Sequence, residues 1–241
     1  MGYATTNPYT NEVLKTFPYA TDAEVDAALD KAYVSFLTWR RTSFDERTQV
    51  LLRAAELARA RKGTLAGLNT LETGKIFFES LWEVESIAQI FEYYARNGER
   101  LLAPERLPVD DPMAGDAMLV YEPLGIVYEI EPWNVPFFQI VRPLAAQLMA
   151  GNTVILKHAS NVPQCSAAME QLMKDAGLPE GVFTNLYATH AQSDRIIADP
   201  RVCGVTLTGS EAAGAKVAAQ AGLHVKKSVL ELGGSDAMLV L

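Results

Sequence analysis

Five places in this 241-residue sequence bring together side chains that can do chemistry. Glu131-Pro132-Trp133-Asn134-Val135-Pro136 sets two prolines four residues apart around Trp133 and Asn134. The prolines restrict the backbone, so Asn134 can aim a side-chain N–H at a developing oxyanion, an interaction worth about 3 kcal/mol in a transition state. The same six residues also suit a plain turn over a packed indole. The stretch 151–160 (GNTVILKHAS) closes an apolar run on Lys157, whose ammonium fits ribose hydroxyls or a phosphate, or simply snorkels to solvent. His158 has no histidine, cysteine or carboxylate at ligand spacing, so it reads as a loop residue and no metal site is expected. Stretch 208–214 (TGSEAAG) follows one apolar run and opens a helical one. Free N–H groups and the positive helix end at Gly209-Ser210 suit a phosphate, although many such turns hold no ligand. Leu230-Glu231-Leu232-Gly233-Gly234 wedges a carboxylate between apolar residues, which should raise its pKa and fits a general base. Arg142 stands eight residues after Asn134, on roughly the same helix face and about 12 Å of rise away. Its guanidinium can take a terminal carboxylate through both oxygens, or pair with a surface glutamate. The G-x-G-x-x-G and P-loop fingerprints are absent.

The elements that must position these groups follow from periodicity. Thr21 with Glu24, and Ser43 with Glu46, predict capped helices over 22–39 and 43–62, the second ended by Gly63. A short helix is expected over 64–72 before Gly74, then a long one over 75–97 that stops before Gly98. Phe77, Trp82, Phe91 and Tyr94 read as its core aromatics. Strands are expected at 117–121 and 125–130, and Pro136 opens a helix. Strand and helix then alternate: strand 153–156, helix 163–176, strand 182–186, helix 190–198, strand 202–207, helix 211–221, strand 225–230. That order predicts an α/β fold with a doubly wound parallel sheet. Residues 236–241 form a last strand-like apolar run in which the sequence stops, the mark of the N-terminal part of a longer polypeptide.

Composition narrows the function. The net charge of −8 argues against a nucleic-acid partner, which needs a basic surface. No apolar run is long enough to span a membrane, and residues 1–15 lack a secretory pattern. Two cysteines, Cys165 and Cys203, form no disulfide framework and fit a reducing, cytoplasmic setting. Twenty-nine of the first 110 residues are charged against 21 of the remaining 131, so the first part reads as surface helices and the second as buried strands and helices.

In their order and spacing, PWNVP (132–136), GNTVILK (151–157), TGSEAAG (208–214) and LELGG (230–234) resemble the aldehyde dehydrogenase superfamily. The opening NPYTNE (7–12) is similar to the family's N-P-x-T-G-E start, so the resemblance covers nearly the whole chain. KHASNVP (157–163) and SVLELGGSD (228–236) look closest to bacterial succinate-semialdehyde dehydrogenases. The resemblance implies a Rossmann-like cofactor domain preceded by helices. It implies a small aldehyde substrate, oxidation to the acid with NADP or NAD, and a homo-oligomer of two or four full-length chains. It divides the chain into an N-terminal helical part (1–107), a connection and oligomerisation-arm strand (108–122) and the α/β core (123–241), cut at its C-terminal end.

The implied roles are specific. Asn134 would be the oxyanion amide and Glu231 the base that activates the deacylating water. Lys157 and Ser160 would contact the adenosine ribose, Gly209 and Ser210 the pyrophosphate, and Trp133 and Leu232 the nicotinamide channel. Arg142 would hold the carboxylate of succinate semialdehyde. Ser160 stands where NAD-preferring members often carry glutamate, so NADP+ should be accepted at least as well as NAD+. Three departures stand out. The family's catalytic cysteine lies in a G-Q-x-C segment beyond Leu241, and neither Cys165 nor Cys203 matches it. His158 replaces a usual proline, and Glu131 a commoner neutral residue. Without the thiol this chain should not oxidise aldehydes by itself; the alternative is a non-catalytic NAD(P)-binding module or a homologue with a structural role.

Overall fold

A computed structural model describes residues 2–110 and 115–240. The capping signals act where the sequence places them. Helices α1 (Asp22–Trp39) and α2 (Phe44–Ala60) start at Thr21 and Ser43, each in a reciprocal box with Glu24 or Glu46, which stabilises a helix start by about 1 kcal/mol. The expected stop at Gly63 is wrong. The chain breaks at Arg61, and Gly63 lies within the next helix, α3 (Lys62–Thr73), which ends on the left-handed Gly74 (φ 74°). Helix α4 (Phe77–Leu101) does not stop before Gly98 but runs through it. A Cβ at Gly98 would lie 2.6 Å from Met149 Cε, so this glycine admits a neighbouring helix rather than ending its own.

The buried stripe of α4 passes through Val84, Ile87, Ala88, Phe91 and Ala95. Phe77 and Trp82 fall off that stripe and are 46% and 60% exposed, so neither is the core aromatic expected; Phe91 is buried and Tyr94 half-buried. Strands β1 (Tyr3–Thr6), β2 (Val13–Phe17) and β3 (Glu105–Leu107), which build two small ribbons, were not legible in the sequence. Strands β1 and β2 form an antiparallel hairpin. Strand β3 pairs with β4 (Ala117–Leu119), the shortened form of the strand expected at 117–121. Residues 111–114 of the connection lie outside the described residues.

The main sheet is all parallel, in the order β7-β6-β5-β8-β9: β5 (Ile126–Glu131), β6 (Thr153–His158), β7 (Phe183–Asn185), β8 (Val202–Thr208) and β9 (Lys227–Glu231). Helices α5 (Pro136–Ala150), α6 (Pro163–Asp175), α7 (His190–Ala198) and α8 (Glu211–Leu223) connect them. This is the doubly wound parallel α/β fold the alternation predicts. One core joins α2–α6 to one sheet face through residues such as Phe91, Phe137, Ile140 and Leu156. A second joins α1, α7 and α8 to the other face through Leu29, Tyr128, Ile155 and Ile196. Residues 236–240 do not form the expected strand: they have no regular structure and are exposed, with no strand among the described residues paired to them. Leu241 lies outside the described residues.

Strand order decides where a ligand can sit. The chain lays down β5, β6 and β7 in one direction, then returns past β5 to add β8 and β9. The connections at the C-terminal ends of β5 and β8 therefore diverge and leave a crevice, the switch point of open α/β sheets.

Candidate functional site

At that switch point a cleft of about 430 Å³ opens, walled by Ile130 of β5, Leu207 of β8 and Val217 of α8. Lys157 reaches it from the end of β6, and Lys216 enters from α8. Lys157 is buried, and burial pushes its pKa down. Its Nζ lies 5.8 Å from the centre of the Tyr3 ring, within cation–π range. The Tyr3 hydroxyl is itself shared between the carbonyls of His158 and Ala188, 3.1 Å from each. The hairpin thus braces the lysine, a contact that nothing local in the sequence signals. Ser210 caps α8, its Oγ accepting the Ala213 N–H at 3.2 Å, and the Gly209 N–H is not the free donor expected, since it donates to the Glu231 carbonyl at 3.0 Å. The capped helix start lines the cleft through Ser210, Ala212 and Ala213, where N–H groups and the helix dipole favour an anion. Ser160 does not line this cleft. It faces the adjoining groove, about 750 Å³, between the 160–161 turn and the β1–β2 hairpin, and its carbonyl accepts the Ala4 N–H at 2.9 Å.

Trp133 and Asn134 project from the exposed turn between β5 and α5. The turn is held at both ends. Glu83 of α4 is buried and accepts the N–H groups of Phe137 and Phe138 at 2.8 and 3.2 Å, capping α5 from outside its own sequence. His158 is not the loop residue expected: it ends β6, fully buried, with Nδ1 3.0 Å from the Glu131 carbonyl and Nε2 3.2 Å from the Pro136 carbonyl. Burial lowers its pKa to about 4.

Arg142 lies two turns into α5. It forms one wall of a groove of about 570 Å³ with Ile90, Tyr93 and Tyr94 of α4 and Phe138 of α5. Its Nη2 donates to Thr208 Oγ1 at 2.7 Å, and Nη1 sits 3.5 Å from Glu231 Oε1. Glu231 is not wedged between apolar side chains as the leucines on either side suggest: its side chain is 56% exposed, because β9 is the sheet's edge strand. Leu232 instead leans on Gly214, where a Cβ would come within 2.5 Å of Leu232 Cδ2. The desolvated carboxylates are Glu129 and Glu131 of β5, whose four oxygens are buried without a hydrogen-bond partner. Burial pushes the Glu129 pKa well up and that of Glu131 to about 8. In the sequence Glu129 does not stand out, and Glu131 does so only as a departure from a commoner neutral residue.

The cysteines lie elsewhere. Cys165 is buried in α6, and burial pushes its thiol pKa up. Cys203 sits near the N-terminal end of β8, against Gly125, at the sheet edge opposite the cleft. Among the described residues no cluster of His, Cys, Asp and Glu could hold a metal ion, and no helix is long and apolar enough to cross a membrane.

Comparison with known proteins matches residues 1–241 to the aldehyde dehydrogenase family. A Deinococcus radiodurans protein named succinate-semialdehyde dehydrogenase (NADP+) is 47% identical over 239 residues, covering 99% of this chain and 50% of the relative. A Mycobacterium avium protein of the same name is 47% identical over 242 residues, with 100% and 51% covered. Among solved structures, the succinic semialdehyde dehydrogenase of Streptococcus pyogenes in complex with NADP+ superposes with a TM-score of 0.94 at 39% identity, over 97% of this chain and 51% of that one. The chain spans about half the length of these relatives.

Proposed function

We propose that this chain, which belongs to the aldehyde dehydrogenase family, is the cofactor-binding part of an enzyme that oxidises succinate semialdehyde to succinate with NADP+ or NAD+. One observation carries the reading: the segment 130–142 lines the switch-point cleft at Ile130 and the Arg142 groove at Phe138 and Arg142, with Asn134 on the turn between. A dinucleotide in the cleft and an acid-bearing aldehyde in the groove would meet at that turn. The residues present fit such a cofactor. Lys157 and Lys216 supply cations, the start of α8 supplies N–H groups, and Ile130, Leu207 and Val217 supply apolar walls.

When bound, the nicotinamide supplies a hydride acceptor. The chain's own residues would do the rest. Lys157 from the cleft and Ser160 from the adjoining groove would contact the adenosine ribose and its 2′-phosphate, Gly209 and Ser210 the pyrophosphate, and Trp133 and Leu232 the nicotinamide channel. The Asn134 amide donates to the substrate oxygen as it gains charge. Glu231 takes a proton from the water that releases the acid. The Arg142 fork binds the far carboxylate of the substrate. The nucleophilic thiol comes from outside these residues, since Cys165 and Cys203 both lie away from the cleft. These residues alone would therefore bind cofactor without oxidising aldehydes.

The division into parts 1–107, 108–122 and 123–241 belongs to the same reading. Leu107, Met118 and Leu119, exposed on the β3–β4 ribbon, make the arm a surface for a second chain in a homo-oligomer. A cytoplasmic setting suits the two free thiols. The test is Arg142→Leu in the full-length polypeptide. KM for succinate semialdehyde should rise roughly thirtyfold, the loss of a charged hydrogen bond of about 2 kcal/mol, with little change for butanal. Equal losses on both substrates would show that Arg142 serves the fold and not the carboxylate.

A further inference from the structure

We infer that His158 is a positioning residue for the turn that carries Asn134, its buried ring tying one end of that turn to β6. The inference rests on the oxyanion role proposed for Asn134. The ring is fully buried, and its two polar contacts are the carbonyls of Glu131 and Pro136, the residues that close β5 and open α5. Three residues beyond Glu131 and two before Pro136 stands Asn134, exposed on the turn between them.

The tie is anchored from behind. His158 pairs with Glu131 in the β5–β6 register, and its carbonyl accepts from Tyr3. Glu83 fastens the amide side of the start of α5 while His158 faces the carbonyl side. A neutral imidazole carries a single N–H. Only one of the two carbonyls can therefore accept a bond at a time, and the other faces a ring lone pair across about the same distance. The tautomer decides which end of the turn is tied, and with it where the Asn134 amide is presented. A proline at this position, with neither donor nor ring nitrogens, can make no such tie.

A double-mutant cycle in the full-length polypeptide tests this. First-turnover NADPH formation from succinate semialdehyde is read beside NADP+ binding by protein fluorescence. His158→Ala should slow the first turnover about tenfold or more, with the Kd for NADP+ changed less than about threefold. In an Asn134→Ala background the same change should cost less than about twofold further. His158→Asn sets an amide nitrogen near the Nδ1 position and restores the tie to Glu131, and His158→Gln sets one near Nε2 and restores the tie to Pro136. One of the two should recover most of the rate. Equal losses from His158→Ala in both backgrounds overturn the inference, because His158 then supports the fold at large; so does an unchanged first turnover. If Asn134→Ala alone leaves the rate unchanged, the proposed oxyanion donor and this inference fall together. Should the alanine protein not fold, the asparagine and glutamine variants decide: one must keep the wild-type rate and the other lose it, and equal rates overturn the inference.

Discussion

Glu131 and Glu231 end parallel strands of one sheet with a single strand, β8, between them. Each follows an apolar residue at the close of its strand, Ile130 or Leu230. Their surroundings are opposite. Glu131 is 2% exposed, its oxygens without a hydrogen-bond partner and its pKa pushed up to about 8 by burial. Glu231 is open to solvent beside Arg142. The difference comes from strand position. Strand β5 is central and covered on both faces by helices, whereas β9 has a neighbour on one side only. A carboxylate's chemistry is set by what covers it, and flanking apolar residues are a poor guide to that.

Neutralising each carboxylate in the full-length polypeptide should separate the two strand ends. Glu231→Gln should cut steady-state turnover about a hundredfold or more, with product release from the enzyme stalled after one turnover, because the amide cannot take the proton. Glu131→Gln should leave turnover within about threefold, since a buried protonated acid and an amide differ little in charge and shape. If Glu131→Gln is the slower protein, the base has been assigned to the wrong strand.

A smaller effect appears in stability against pH. The Glu131 pKa is higher in the folded protein than in the unfolded chain, so the native state keeps a proton that the unfolded state releases. The stabilisation is complete below the usual carboxylate range and is lost as pH rises towards about 8, at no more than about 1.4 kcal/mol per pH unit. Denaturant midpoints measured from pH 5 to pH 9 should fall more steeply for the native sequence than for Glu131→Gln. Parallel curves would mean that Glu131 is charged and paired in the folded protein.

The smallest effect is expected at the edge itself. Gly214→Ala brings a Cβ against Leu232 Cδ2, but Leu232 is partly exposed and follows the last strand, so it can swing aside. Thermal unfolding should shift stability by about 0.5 kcal/mol or less. A loss of several times that would show that Leu232 is clamped, and that the edge is more rigid than its exposure suggests.

Much of the fold is legible because its signals are local. The boxes Thr21–Glu24 and Ser43–Glu46, the left-handed Gly74, and Pro136 and Pro163 at helix starts all mark boundaries within a few residues of themselves. Gly63 and Gly98 mislead for the converse reason: a glycine in a helix can stop it or let another side chain approach, and only the partner, Met149 for Gly98, decides between them. The β1–β2 hairpin escapes because Tyr3–Thr6 shows no clear alternation and is held by distant groups, with Tyr3 on His158 and Ala188 and Thr5 on Glu72. Of the candidate site, the positions of Lys157, Asn134 and Gly209-Ser210 at strand ends are readable. Lys216, Tyr3 and Glu83 are not, because each reaches the site from an element whose placement is set elsewhere.

The alternation of strands and helices, the order of the chemistry-bearing segments and the helix caps can all be read from neighbours within about a turn or two. The strand order that creates the switch-point crevice is set by contacts between distant segments, and so it comes from the folded chain. The folded chain also decides that Glu131, not Glu231, is the desolvated acid, that Arg142 stands between Thr208 and Glu231, and that both nitrogens of His158 face the turn bearing Asn134. The physical reason is that desolvation and hydrogen-bond geometry are properties of the surrounding shell, and in this protein that shell is built from β5, β6, α4 and β8, segments that meet only when the sheet closes.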